Sequence, residues 1–131
     1  MTRPAITGIS PLFIVAEIPA TLAFYRDKLG FEVTFTAEPD DLYFAIVQRD
    51  RAMIMFKAVE VPPLPNPKRD RAARWDAYLN VPDPDALASE FVSRGVTFSV
   101  PLMDTIDDLR GFELEDVNGY VLFFGRPREQ L

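Results

Sequence analysis

The chain has 131 residues, enough for one domain with its own hydrophobic core, and 48% of them are apolar, which excludes a disordered protein. It contains neither cysteine nor histidine, so disulfides, thiolate catalysis and imidazole ligands for metals are excluded. The net charge of −6 disfavours nucleic acid as a partner. No apolar stretch is long enough to span a bilayer, and the absence of cysteine fits the cytoplasmic location that we expect.

The first part of the chain predicts a strand, a helix and three further strands. The run LFIV, at 12–15, suits a largely buried strand, and Pro19 fits the first turn of the helix that follows. Apolar residues at steps of three and four then form one helical face: Ile18, Leu22, Tyr25 and Leu29. Gly30 ends that helix, and three strands are predicted at FEVTFT, LYFAIVQ and AMIMFKAV.

A segment rich in proline and basic residues separates this part from the next. It reads VPPLPNPKRDRAAR and is typical of an irregular, exposed connection. After it the first plan recurs, with a strand at DAYLNV, a helix that begins at Asp83 and Pro84 and ends at Gly95, and strands at TFSV, RGFELED and YVLFFG. We therefore predict a single α+β domain made of module one at 5–60, a linker at 61–74 and module two at 75–127.

Three motifs in the right order carry a resemblance to a known family. They are FYRDKLGFEV, VPDPDALASEF and RGFELEDVNGY. A doubled βαβββ unit with these motifs resembles the glyoxalase/bleomycin-resistance/extradiol-dioxygenase group, the vicinal oxygen chelate superfamily. The resemblance implies that each module folds into an incomplete barrel with a concave cleft, and that the protein pairs as a homodimer.

The metal-ligand positions of that superfamily are altered in this chain. Placing the family pattern on the sequence puts the two histidine positions at Ser10 and Asp76 and the terminal glutamate at Phe123. Of these three side chains, only the carboxylate is a good ligand for a divalent ion. The resemblance therefore implies a protein that holds no metal and no other cofactor.

The metal-free members that the chain resembles are the bleomycin resistance proteins. These are acidic homodimers that sequester a cationic, flat-ringed antibiotic in clefts at the subunit interface, so the predicted role is small-molecule binding in antibiotic resistance, with neither nucleic acid nor membrane as a partner. The alternative is an enzyme of the same superfamily, a lyase, isomerase or dioxygenase with an absent or atypical metal site that uses Asp76 and Glu113. A third interpretation is an interaction module whose cleft is filled by its own side chains.

Aromatic residues are the first candidates for the ligand cleft. By resemblance, Phe35, Phe44 and Tyr78 match aromatic cleft positions of the antibiotic-binding proteins, whereas Asn80 stands where a ring is usual. Phe35 and Phe44 fit ordinary sheet core equally well. Strand alternation places Tyr78 and Asn80 on one face with Asp76, which indicates a cleft lining, since such a polar face is unlikely to pack on helices.

Two further candidates have alternative interpretations. Trp75, the only tryptophan, either closes the ligand cleft or packs at the dimer seam. Glu113 either reaches into the cleft, where a carboxylate meets a cation or acts as a base, or lies on a solvated face of its sheet.

Overall fold

The computed structural model describes residues 2–128, which contain two successive βαβββ units. The first consists of β1 (Leu12–Val15), α1 (Ile18–Ala23), which continues as a π-helical turn (Phe24–Lys28), β2 (Glu32–Thr36), β3 (Phe44–Arg49) and β4 (Ala52–Ala58). A short helix, α2 (Asn66–Arg69), and a 3₁₀ turn (Arg71–Ala73) lie between the units. The second consists of β5 (Ala77–Asn80), α3 (Pro84–Ser93), β6 (Val100–Asp104), β7 (Leu109–Glu115) and β8 (Val121–Pro127).

Each unit forms its own four-stranded sheet with the same topology. The strand orders are β1-β4-β3-β2 and β5-β8-β7-β6, and in each sheet the first strand is parallel to its neighbour while the other pairs are antiparallel. Neither sheet closes on itself. The prediction of an α+β fold with two incomplete barrels is therefore confirmed.

The helices begin and end where the local chemistry predicts. Asp83 caps α3 by accepting a hydrogen bond from the amide of Ala86 at 3.1 Å, and Pro84 occupies the first turn. Gly30 and Gly95 follow the two long helical segments with φ of +71° and +82°. A side chain strains the backbone in this region, so glycine is favoured at both stops.

The two modules share one hydrophobic core. The predicted apolar face of α1 is buried, and it meets the inner faces of both sheets together with Phe91 of α3. Phe56 of β4 and Phe112 of β7 are fully buried in the same cluster. Because the core lies between the modules, the opposite face of each sheet is directed away from it.

On one side, the hairpin turn between β7 and β8 reaches across to module one. Tyr25 donates its hydroxyl hydrogen to Asp116 Oδ2 at 2.6 Å, and Tyr120 donates to the carbonyl of Ile14 at 2.5 Å. Asn118 accepts a hydrogen bond from the amide of Ala16 at 3.1 Å. Burial raises the pKa of the Asp116 carboxyl, and the bond from the Tyr25 hydroxyl opposes that rise.

On the other side, an ion pair joins the end of β3 to α3. The Arg49 guanidinium binds both carboxylate oxygens of Glu90, at 2.7 and 2.8 Å, and also donates to the carbonyl of Leu29. Arg94 donates to the same Glu90 carboxylate at 2.9 Å. The hydrogen bond from Arg49, followed by that from Arg94, lowers the pKa of Glu90 to about 2 although partial burial opposes this.

One predicted strand boundary and the irregular character of the linker need correction. The strand predicted at TFSV begins later, at Val100. Phe98, just before it, stacks on Phe112 with the ring centroids 4.5 Å apart, and the amide of Ser99 donates to the carbonyl of Glu113 at 2.9 Å. The segment 61–74 is not wholly irregular, because Pro67 fits the first turn of α2 and Asp70 accepts a hydrogen bond from the amide of Ala72 in the 3₁₀ turn. Between residues 2 and 128 there is no helix whose length and apolar character would carry it across a membrane.

Candidate functional site

Three aromatic rings form a cluster on the outward face of the second sheet. Trp75 stacks on Phe123 with centroids 4.8 Å apart and an angle of 29° between the planes. Tyr78 lies 5.4 Å from the Trp75 ring and 5.1 Å from the Phe123 ring. We call Trp75, Tyr78 and Phe123 the aromatic cluster. Its members come from neighbouring strands, since Tyr78 of β5 pairs with Phe123 of β8.

A pair of glycines lets Phe123 lie flat on this sheet. Gly111 and Gly125 face each other across β7 and β8. A Cβ atom at Gly125 would come within 2.6 Å of the Phe123 ring and 2.5 Å of the Arg110 carbonyl oxygen. Without side chains at these positions, Phe123 sinks to 1% exposure and forms the floor on which Trp75 rests.

Polar groups surround the aromatic cluster. Glu113 accepts a hydrogen bond from the Trp75 indole Nε1 at 3.0 Å, which fixes the ring in its plane. The Arg74 guanidinium carbon lies 4.5 Å from the centre of the Trp75 ring, and Arg74 Nη1 donates to Asp107 Oδ2 at 2.5 Å. Burial, helped by the negative charge of Asp107, raises the pKa of Tyr78.

Phe35 and Phe44 lie on the outward face of the first sheet. Their ring centroids are 6.1 Å apart, and the Phe35 side chain is 51% exposed. Leu12 and Ile14 of β1 are also exposed, whereas the alternate residues Phe13 and Val15 enter the core. The core interpretation of Phe35 and Phe44 therefore does not hold, and the first sheet presents an apolar outward face.

The structure gives Asp76 a role that the sequence did not predict. Its two carboxylate oxygens accept hydrogen bonds from the amides of Asn66, at 2.7 Å, and Val121, at 2.8 Å. These bonds tie α2 to the start of β8, so the carboxylate is occupied as a loop anchor instead of being directed into a cleft. Asn80 at the end of β5 is exposed and lies on the same face as Tyr78.

A separate cleft of about 630 Å³ lies between the modules, along β5 and beside the Arg49–Glu90 ion pair. Its walls are mostly apolar side chains that border the shared core, such as Ile54, Leu79 and Phe91. Of the predicted site residues, only Tyr78 and Asn80 border it. The cleft does contain aromatic and charged side chains, but Arg49 and Glu90 are already paired with each other. We place the candidate site on the outward faces instead, because Phe35, Phe44, Trp75 and Glu113 lie there and none of them borders the cleft.

The residues at the family's metal positions do not fit a divalent ion. Phe123 offers no donor atom and lies beneath Trp75, and both oxygens of Asp76 already accept amide hydrogens. Within residues 2–128, histidine, cysteine, aspartate and glutamate side chains nowhere gather in a group of three or more that could hold a metal. The pairing of Asp76 with Glu113 as ligands is therefore not supported.

Sequence reasoning missed three members of the site. Phe123 was considered only as a lost metal ligand, although its ring forms the floor of the aromatic cluster. Arg74 and Asp107, which lie beside Trp75, are far apart in the sequence, and the residues around them do not predict their contact. The position of Arg74 directly before the only tryptophan was the one available signal.

The predicted residues fall into two groups that one chain does not bring together. Phe35 and Phe44 lie on the first sheet, while Trp75, Tyr78 and Glu113 lie on the second. Both groups are on the side of their sheet away from the shared core. They therefore face away from each other.

Comparisons with known proteins agree with this architecture. Residues 8–124 match the family model for the Glyoxalase/Bleomycin resistance protein/Dioxygenase superfamily. A search of curated proteins found no match.

Solved structures give the same fold over nearly the whole chain. A bleomycin-binding protein from bleomycin-producing Streptomyces verticillus, solved with copper(II)-bleomycin, is 25% identical, with a TM-score of 0.71 and coverage of 98% of this chain and 100% of that one. A bleomycin-binding protein in complex with bleomycin is 22% identical, with a TM-score of 0.71 over 94% and 100% of the two chains. TioX from Micromonospora sp. ML1 is 14% identical, with a TM-score of 0.73 over 92% and 98%.

Proposed function

The chain belongs to the Glyoxalase/Bleomycin resistance protein/Dioxygenase superfamily, and we propose that within it this protein binds and sequesters a planar, cationic small molecule without modifying it. The proposal extends to a bleomycin-type antibiotic as the ligand and to a role in resistance. It places the protein in the cytoplasm, where a sequestering protein shields intracellular targets.

The aromatic cluster carries this proposal. Planar ligands bind to aromatic walls by stacking, and each such ring contact contributes about 0.5–1.5 kcal/mol beyond the area that it buries. Trp75 is held in a fixed plane by Phe123 and Glu113, so it is a preorganised stacking surface. The carboxylates of Glu113 and Asp107 beside it favour a cation.

A homodimer would complete the cleft. In one chain, the apolar outward face of the first sheet, with Leu12, Ile14, Phe35 and Phe44, faces away from the aromatic cluster. Exposed apolar faces of this kind mark interaction surfaces. We propose that this face of one protomer lies opposite the aromatic cluster of its partner, so that the ligand stacks between rings from two chains.

Calorimetric titration with bleomycin tests the proposal. We expect one bleomycin molecule to bind per chain, and mass spectrometry of the released ligand to return it unaltered. Trp75→Leu should lose at least tenfold in affinity, by about 1.4 kcal/mol. Tyr43→Phe, which alters an exposed tyrosine elsewhere, is the matched control.

Three outcomes would contradict parts of the proposal. Failure of the native chain to bind bleomycin would remove the antibiotic as ligand. Recovery of a chemically altered ligand would show that the protein catalyses a reaction and does not merely sequester the ligand. Sedimentation of the protein as a monomer, with bleomycin bound, would contradict the shared cleft.

A further inference from the structure

Arg74 adopts a strained backbone conformation directly before the only tryptophan. Its φ and ψ are 66° and −63°, and the amide of Trp75 donates to the carbonyl of Ala73 at 2.8 Å across it. This combination is the γ-turn with positive φ, which is rare and strained for a residue with a side chain. Glycine would adopt it without that strain.

The contacts of the Arg74 side chain do not explain why arginine is present. Its ion pair with Asp107 is exposed, with 41% and 43% of the two side chains accessible. Such pairs add little to stability because water screens them and both side chains lose freedom. A role in folding alone would therefore favour glycine at this position.

The guanidinium group occupies a defined place on the aromatic cluster. Phe123 stacks on one face of the Trp75 indole, which leaves the other face to Arg74 at 4.5 Å. There the planar cation has two partners, the indole π-system and the Asp107 carboxylate. Planar cations are the groups that a tryptophan face with a nearby carboxylate binds best.

We propose that the outer face of Trp75, with Asp107, is the subsite for a planar cationic group of the ligand, and that Arg74 fills it in the unliganded protein as an internal competitor. The inference rests on the proposed function and specifies the part of the ligand that this subsite selects. The ligand's cation displaces the guanidinium and takes over its contacts with Trp75 and Asp107. Ligands without a planar cation cannot replace these contacts, so Arg74 is a specificity-determining residue.

Benzamidine, a small planar cation, and its neutral analogue benzamide provide the test. We expect Arg74→Gly to bind benzamidine about tenfold more tightly than the native chain, because the competing guanidinium is removed. Benzamide affinity should change less than about twofold. Fluorescence of Trp75, the only tryptophan, reports binding, and calorimetry confirms the affinities.

Two further variants separate competition from other effects. Asp50→Gly relieves another positive φ, of 51°, away from the aromatic cluster, and should leave benzamidine affinity unchanged. Adding Asp107→Asn to Arg74→Gly should abolish most of the gain, because the bound cation loses its carboxylate. Thermal unfolding should show Arg74→Gly to be at least as stable as the native chain, whereas a marked loss of stability would assign Arg74 a structural role and overturn the proposal.

The results distinguish this inference from the proposed function. If the native chain binds bleomycin but Arg74→Gly gains no benzamidine affinity, the role of Arg74 as a competitor is contradicted, whereas sequestration of the antibiotic is still supported. If the native chain fails to bind bleomycin but Arg74→Gly gains the expected affinity for benzamidine, the planar-cation subsite is supported and bleomycin is contradicted as the ligand. If Arg74→Gly gained as much affinity for benzamide as for benzamidine, the substitution would only have uncovered an apolar surface. That result would overturn the proposed selectivity for cations.

Discussion

Replacing Tyr25 with phenylalanine removes one hydroxyl from the buried link between the modules. That hydroxyl donates to Asp116 Oδ2 at 2.6 Å, and both side chains are almost fully buried. Asp116 keeps its bonds from the amides of Asn118 and Tyr120, which reach Oδ1 instead. The variant therefore leaves one carboxylate oxygen inside the protein without a donor.

The expected loss follows from the charge of the acceptor. Hydrogen bonds to ionised groups contribute about 1.5–3 kcal/mol, so we expect Tyr25→Phe to lower the free energy of unfolding by about 2 kcal/mol at pH 7. With an unfolding entropy of about 2.1 cal/mol/K per residue, this corresponds to a fall in Tm of about 7 °C. Tyr43→Phe, at an exposed position, should change the free energy by less than about 0.5 kcal/mol.

The pH dependence of this loss tests the reasoning. Burial raises the pKa of Asp116, and without the Tyr25 hydroxyl it rises further, so the variant takes up its proton at a higher pH than the native protein. An acid whose pKa is raised on folding gains stability as the pH falls through that pKa. The difference between Tyr25→Phe and the native protein should therefore shrink on acidification. Urea unfolding between pH 7 and pH 4 measures this, and a difference independent of pH would refute the charged-acceptor argument.

Three other variants probe separate features. Glu90→Gln should lower the free energy of unfolding by about 1 kcal/mol above pH 5, a value discounted because a third of the Glu90 side chain is in water. Folding lowers the pKa of Glu90 to about 2, so acid-denaturation curves should show the loss vanishing as the pH falls from about 4.5 to 2. Gly125→Ala should destabilise by about 2 kcal/mol or more in urea, since its methyl group collides with Phe123, while Gly8→Ala, with open space around it, should be neutral. Phe35→Ala should weaken bleomycin binding about tenfold in calorimetry while shifting stability by less than about 0.5 kcal/mol, and equal losses in both would assign Phe35 to the fold.

The scaffold was predictable because its signals are local. The spacing of Ile18, Leu22 and Tyr25 defines a helical face, and Gly30 marks its end, so the helix could be located without knowing its partners. The strand predicted at TFSV was placed three residues too early, because its pairing with β7 begins only at Val100 and strand propensity does not predict where pairing starts.

The candidate site was less predictable because its contacts join distant parts of the chain. Tyr78 could be placed on the outward face by strand alternation, but the hydrogen bond between Trp75 and Glu113 spans 38 residues. Asp76 lies next to β5 as predicted, but its carboxylate accepts hydrogen bonds from two backbone amides. Every residue except proline has such an amide, so the sequence does not indicate which ones a carboxylate binds. Alternation predicts which face a residue occupies, but it does not predict the partner that a polar group selects.

The core shared by the two repeats has a consequence for how the chain folds. Neither repeat covers its own apolar side: Phe56 and Phe112 belong to one cluster, and the Tyr25–Asp116 and Arg49–Glu90 links each cross from one repeat to the other. A repeat folded alone would expose that side to water. Assembly of the core therefore requires contacts between residues far apart in sequence, which slows folding and makes the two halves of the molecule gain and lose their structure together.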